Sequence, residues 1–417
     1  MKRLISLLVA VFFMTGMVVA QSNDAQTTQE GEDNTAIQEQ DGYMNDATIH
    51  QGNFKNHSPE ERKGLDYQYD GYAKQVQSGN KNEASIKQRS GSNFTGNSSV
   101  QQQWGNQNNA AAVFYNGQNS SLQQQWNKKN ISKVKASGKN HRLVTWQMGF
   151  QNNAQERLSG DNNWAKIKQN GNNNYANAIV NGKRNDVLIE QIGIGNNVGE
   201  KGWHKDDHYG VFTNGEDNFV KVVQNGNNGM AKVRQTYGER GKEGGGRNSD
   251  NKAIIHDNGD RNDVRIDQSG RDNYVKFTTG YNSKNNQAQA IVAPGGGGKK
   301  NVINVEITGK RNGGNHIAAK SGISDVASVD EMFAIEQNND HQTVRGMVSG
   351  DNNDLYSFQG RGKSNLLNFD VSGNGNDMLT RQYGDQNSIR LDLNGNAGTV
   401  DVMQHGFDNY SKVTQSN

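Results

Sequence analysis

Two histidines four residues apart, His204 and His208 in the run WHKDDHYG, are the closest the chain comes to a metal site. That spacing suits two ligands on one face, with Asp206 or Asp207 as a third, but nothing nearby completes the set, and a solvated loop is the strongly favoured reading of the run. The glycines Gly295 to Gly298 precede Lys299 and Lys300, yet the stretch lacks both the spacing and the Ser or Thr of a phosphate-binding loop. Gly244 to Asp250 has the look of a calcium-binding glycine-aspartate repeat, a kind of site that occurs in tandem and here stands alone. His50, His256 and His405 are scattered and suggest no triad. The expectation is a protein with no catalysed reaction, no cofactor and no resident metal.

Bulk composition narrows the class further. The 417 residues contain no cysteine, so disulfides and thiol chemistry are excluded. Lys and Arg number 45 against 43 Asp and Glu, a balance that gives no case for nucleic acid as a partner. Met1-Lys2-Arg3, the apolar run Leu4 to Val19 and the small Ala20 read as a secretory signal over residues 1–20, with the mature chain beginning at Gln21. Hydrophobic residues make up only 31% of the chain, which by itself would suggest disorder. Periodicity says otherwise.

Asparagine recurs every eleven residues, as at Asn163, Asn174 and Asn185, at Asn251, Asn262 and Asn273, and at Asn365, Asn376 and Asn387. Counting each such Asn as zero, positions two, four and six are small, aliphatic or Gln, and position eight is usually Gly. Ala165, Ile167, Gln169 and Gly171 fit this scheme, as do Val220, Val222, Gln224 and Gly226, and Val264, Ile266, Gln268 and Gly270. Alternation at period two is the mark of a strand with one buried face. The intervening positions agree, since Lys166, Lys168, Arg265, Asp267, Arg390 and Asp392 are charged. Glycine at position eight supplies a positive φ for a tight turn, and the Asn is expected to tolerate the left-handed region.

Each unit is therefore one strand and one turn, and two units closing on each other make a rung of 22 residues. Position six often alternates between amide and aliphatic, as in Gln169, Val180, Gln191 and again in Val371, Gln382, Leu393, Gln404. Stacking every second unit then sets like above like, and a column of identical amides passes hydrogen bonds from rung to rung. The expected ladder comprises Asn163, Gln169, Gly171, Asn174, Gln191, Gln224, Gly226, Asn262, Gln268, Gly270, Asn273, Asn376, Gln382, Gly384, Asn387, Gln404 and Gln415. From Asn34 to the end of the sequence there is chain for roughly 17 rungs if every segment joins. Proline cannot donate to a ladder, and the two prolines, Pro59 and Pro294, fall where the repeat lapses. Loops are expected near 57–72, 199–213, 237–249, 293–300 and 319–329, the last of them also compatible with a short helical insert. Trp164, Tyr175, Phe219, Tyr274 and Tyr410 occupy position one, facing outward beside a turn, where they suit either a grip on polysaccharide or cross-strand packing.

Gln169-Asn170-Gly171-Asn172-Asn173-Asn174, Gln268-Ser269-Gly270-Arg271-Asp272-Asn273 and Gln382-Tyr383-Gly384-Asp385-Gln386-Asn387 resemble the core of the curlin repeat of bacterial curli fibres. The likeness covers most of the mature chain. It implies an all-β, curlin-like β-solenoid over 34–417, and a secreted subunit of an extracellular amyloid fibre at the cell surface, with roles in biofilm matrix and adhesion. It further implies self-association, a nucleator or companion subunit, and export through an outer-membrane pore, with the polar segment 21–33 as a secretion-targeting stretch. Polysaccharide and host or abiotic surfaces are the implied adhesion targets. The chain departs from the family pattern in its length, in Asn where Ser leads the repeat, and in aliphatic residues at the second Gln, as at Val180 and Ile307. Two rival classes remain: a monomeric β-solenoid adhesin or carbohydrate-binding surface protein, and a polysaccharide lyase or hydrolase on a parallel β-helix. The second would need catalytic acids and bases gathered on one face, whereas the charges here are spread along the chain.

Overall fold

The computed structural model describes residues 22–416 apart from 30, 33, 52–67, 70, 90–95, 116, 200–209, 236–248, 281–282, 293–298, 313–332, 338–339 and 361. Within those residues every regular element is a strand. Alternate strands of the chain enter alternate sheets. Sheet I has 16 strands and runs from Asp24–Gln29 to Thr399–His405; sheet II has 15 and runs from Thr35–Asp41 to Tyr410–Ser416. All their pairings are parallel and in register: Trp164 lies against Asp186 and Gln169 against Gln191, 22 residues on. The chain is a β-solenoid of about 14 turns.

The period-two pattern explains why the sheets face each other. Ala165, Ile167 and Gln169 point inward and are fully buried, while Trp164, Lys166 and Lys168 alternate outward. Opposite them Ala176, Ala178 and Val180 are equally buried. The core is a single column of small and branched side chains from Ile49 to Val400, two strands wide. It is thin, and the 22-residue unit buries its apolar face only through its neighbours above and below. Between Ser98 and Ile194 the strands run nine residues, through position eight, except Asn109–Tyr115, which runs seven.

The glycines at position eight stack so closely that no side chain fits. Gly171 has φ +130°, and a Cβ there would lie 2.0 Å from the Gly193 carbonyl oxygen of the next rung. The second left-handed residue of each turn is not the repeat Asn, as the sequence suggested, but the residue before it: Asn162, Asn173, Arg261, Asp272 and Gln386 all have φ between 56° and 60°. The Asn itself is turned inward and held by hydrogen bonds, which demand side-chain geometry rather than a special φ.

Three expectations on extent are revised. Sheet II is fifteen strands deep, not roughly 17, because interruptions consume chain: Gln40 is followed in its column by Gln77, Gln191 by Gln224 and Val302 by Thr343. The stack starts before Asn34, since Asp24–Gln29 pairs in register with Asp46–Gln51. Gly31–Glu32 also pairs with Gln68–Tyr69, inside the expected 57–72 loop, and Val211–Glu216 is a strand within the expected 199–213 loop. Of the expected loops, 57–67, 200–209, 237–248, 293–298 and 319–329 fall outside the described residues, as do the signal segment 1–20, Pro59, Pro294, the histidines His204 and His208 and the Gly295 to Gly298 run.

Candidate functional site

At the start of each strand the repeat Asn closes three contacts at once. The backbone N–H of Asn185 donates to Asn163 Oδ1 at 2.9 Å, so each Asn anchors its successor. Asn163 Nδ2 donates to the Ser159 carbonyl of its own turn and to the Gly182 carbonyl of the next, both at 2.9 Å. The same arrangement holds Asn174, whose Nδ2 reaches Gly193 O at 3.0 Å, and Asn387, whose Nδ2 reaches Gly406 O at 3.0 Å. Asn273 receives the N–H of Asn301, and Asn376 that of Gly398. A buried amide satisfied in this way costs little, whereas an orphaned one costs about 1–3 kcal/mol. Asn262 differs: beneath it in its column stands Gly229, and its Nδ2 turns to Asp257 Oδ1 at 2.7 Å.

Position six carries the second ladder. Eight glutamines of sheet II from Gln40 to Gln224 form an unbroken chain of Nε2-to-Oε1 hydrogen bonds of 2.8–2.9 Å, in which Gln169 receives from Gln147 and donates to Gln191, and Gln191 donates to Gln224. Each amide except Gln224 also bridges the core, as when Gln169 Nε2 meets the Asn153 carbonyl of sheet I at 3.1 Å. Facing this run, position six of sheet I begins with a short amide chain of its own, Gln29, Gln51 and Gln88, joined at 2.7 and 3.1 Å, and continues with Phe114, Ala136, Leu158 and Val180.

Beyond Gln224 the two columns exchange character. Sheet II continues with Asp257, Thr279, Ile307, Val348, Val371 and Leu393. Sheet I takes up the amides: Gln235 donates to Gln268 at 2.9 Å, and Gln337, Gln359, Gln382 and Gln404 form a second chain at 2.7–3.1 Å. The predicted residues thus fall into separate groups, with Gln169, Gln191 and Gln224 in one column and Gln382 and Gln404 in another. Gln268 ends its short run beneath Val292, and Gln415 lies over Leu393 rather than over a glutamine. Gly226, Gly270 and Gly384 occupy turn corners like that of Gly171, and a Cβ on Gly226 or Gly384 would meet the carbonyl oxygen of the next glycine at 2.0 Å.

Several participants were missed from the sequence. Gln38, Gln75, Gln101 and Gln123 form another inward amide chain at position four, with bonds of 2.7–3.0 Å, and the doubled QQQW runs at 101–104 and 123–126 were its signal. Outward on sheet II, Trp104 stacks on Trp126 with centroids 5.0 Å apart, Trp126 meets Trp146 at 5.3 Å, and Lys168 Nζ lies over Trp146. The position-one aromatics pack in the same manner, Lys252 Nζ sitting 5.5 Å from the Phe219 ring and 5.6 Å from that of Tyr274. Tyr410 is the exception, at 66% exposure.

Ionisable groups enter the core at three places. His141 takes an Asn position, its Nδ1 accepting the Asn163 N–H and its Nε2 lying 3.1 Å from the Ser137 carbonyl, and burial holds its pKa below the usual histidine range. Burial pushes the Asp257 carboxyl up, against the pull of donors from Asn262, Thr279 and Gly259. Glu156 is pushed up to about 8 by desolvation, only partly offset by the Thr145 hydroxyl and the Ile167 backbone. No cluster of three His, Asp or Glu suited to a metal exists among the described residues.

What this arrangement offers is repetition of hydrogen bonds along one axis. The family model of the curlin associated repeat matches residues 160–193. That span takes in the strands Trp164–Asn172, Tyr175–Lys183 and Asp186–Ile194, where Asn, Gln and Gly ladders coincide. A comparison with curated proteins gives no match. The chain thus carries a curlin associated repeat at 160–193, and the strand pattern of that span continues in register on either side of it.

Proposed function

We propose that the chain is a secreted structural subunit that stacks end to end into an extracellular, curli-like amyloid fibre serving biofilm matrix and cell adhesion. The observation that carries this reading is the pair of strands at the ends of the stack. Tyr410–Ser416 pairs on one side only, with Ser388–Asn394, and its inward Val413 and Gln415 are half-exposed where Leu391 and Leu393 below them are 1% exposed. Among the described residues, Asp24–Gln29 likewise pairs with Asp46–Gln51 alone and is exposed along its length. A strand edge in register with amide columns is a template for another strand.

The directions of the bonds favour head-to-tail growth. Glutamine Nε2 groups donate toward the C-terminal end, as from Gln382 to Gln404, so an incoming Gln29 or Gln40 meets a donor with its acceptor. Function is then mechanical, with self as the principal partner and a nucleator and outer-membrane pore as assembly partners. The apolar stretch Leu4 to Val19 supports export, and among the described residues no helix is long and apolar enough to cross a membrane.

Electron microscopy with thioflavin staining of the purified chain from Gln21 onward tests the reading. Unbranched fibres that bind the dye are expected. A protein that stays soluble and monomeric would instead favour a single-solenoid adhesin or carbohydrate-binding protein.

A further inference from the structure

Among the described residues, Glu156 is the one carboxyl set wholly within the aliphatic part of the core. It is 2% exposed, at position four of sheet I, stacked between Val134 and Ala178. Across the core it faces the strands Arg142–Phe150 and Trp164–Asn172, whose inward residues are Leu143, Thr145 and Gln147, then Ala165, Ile167 and Gln169. None of these titrates. The Thr145 hydroxyl donates to Glu156 Oε1 at 3.2 Å, and Oε2 has no hydrogen-bond partner. Lys133, Lys135 and Arg157 on its own sheet, and Arg142, Lys166 and Lys168 on the other, alternate to the outer faces.

The location is a seam. The inward amide chain Gln38, Gln75, Gln101, Gln123 stops one rung earlier, and its column passes through Thr145 to Ile167. An ionised carboxylate here has only the Thr145 hydroxyl and the Ile167 backbone to answer it and no cation, so the neutral acid sits in the stack with far the smaller desolvation penalty.

We propose that Glu156 is a pH-operated release built into the solenoid, which holds the rungs of Arg142–Lys183 closed in mildly acidic surroundings and loosens them as the medium turns mildly alkaline. The sign follows from linkage. An unfolded glutamate loses its proton near its ordinary value, whereas the buried one keeps it to about 8. Between those values the folded form binds the extra proton, so stability falls as pH rises, and above about 8 this group causes no further change. His141, in the adjoining turn, acts oppositely, because its unfolded form gains a proton on acidification that the buried ring resists. The inference concerns the single solenoid and holds whether or not copies stack.

Hydrogen exchange read by mass spectrometry on the folded chain at pH 5.5 and 8.5, corrected for the intrinsic exchange rate, tests it. Protection of 142–183 is expected to drop about a hundredfold relative to 366–394, where the acids Asp370 and Asp392 lie on an outward face. In E156Q, which keeps shape and hydrogen bonding but cannot ionise, that relative drop should vanish. Equal loss of protection in both segments of the wild-type chain, or an unchanged drop in E156Q, overturns the proposal. Should E156Q fail to fold, the wild-type contrast between the two segments still decides.

Discussion

At the scale of single residues, the molecule depends on amides and glycines that have no freedom to change. Gln382 receives a hydrogen bond from Gln359 and gives one to Gln404, so Gln382→Leu orphans a donor and an acceptor, and a loss of about 2–4 kcal/mol is expected in urea unfolding. Gln268 has an amide neighbour on one side only, so Gln268→Leu should cost about half as much. Equal effects, or unaltered fibre formation in both variants, would mean that the amides are incidental. Gly171→Ala drives a Cβ into the Gly193 carbonyl and should cost about 3 kcal/mol or more, whereas Gly375→Ala, at φ +67° with nothing nearer than 4.0 Å, should cost about 1–2. Spacing alone made Asn163, Gln169 and Gly171 legible, because a repeated hydrogen bond requires a repeated residue. Glu156 was not legible in this way. A single acid at an inward position contradicts the period and carries no pattern of its own, and only its surroundings reveal that it is neutral.

At the scale of strand and turn, alternation decides which side chains face inward, and the turn geometry decides where each strand stops. A proline at an outward position isolates the backbone contribution. Lys166→Pro leaves the core side chains of Trp164–Asn172 untouched but removes an N–H from the ladder between Arg142–Phe150 and Asp186–Ile194, and a loss of about 3 kcal/mol or more is expected in thermal or urea unfolding. A negligible effect would show that this strand is not paired on both sides. Strand direction and face followed from the sequence wherever the eleven-residue count was kept. The first strand shows how composition misleads: Asn23, Ala25, Thr27, Gln29 and Gly31 fit the repeat position by position, yet the segment reads as a polar leader because it has no branched aliphatic residue. The exchange of amide columns at Gln224 and Gln235 was half-visible, as runs of Gln at one parity of the repeat and then the other. Which sheet each parity enters depends on the insertions between strands, whose paths the spacing does not encode.

At the scale of the whole molecule, near-neutral charge, a thin two-strand core and end strands paired on one side among the described residues are what the proposed fibre subunit requires. The 22-residue repeat gave the architecture, and the depth of the stack came out shorter than the chain length implied because several insertions add residues without adding rungs. Fibre growth would extend both the Asn and Gln ladders across the junction between copies, with no new type of contact required. X-ray diffraction from aligned fibres assembled in vitro tests this most directly. The account predicts a sharp meridional reflection at about 4.7–4.8 Å, from parallel strands stacked along the fibre axis, with an equatorial reflection near 10 Å from the facing sheets. Strand spacing on the equator rather than the meridian, or a helical pattern near 5.4 Å, would contradict it.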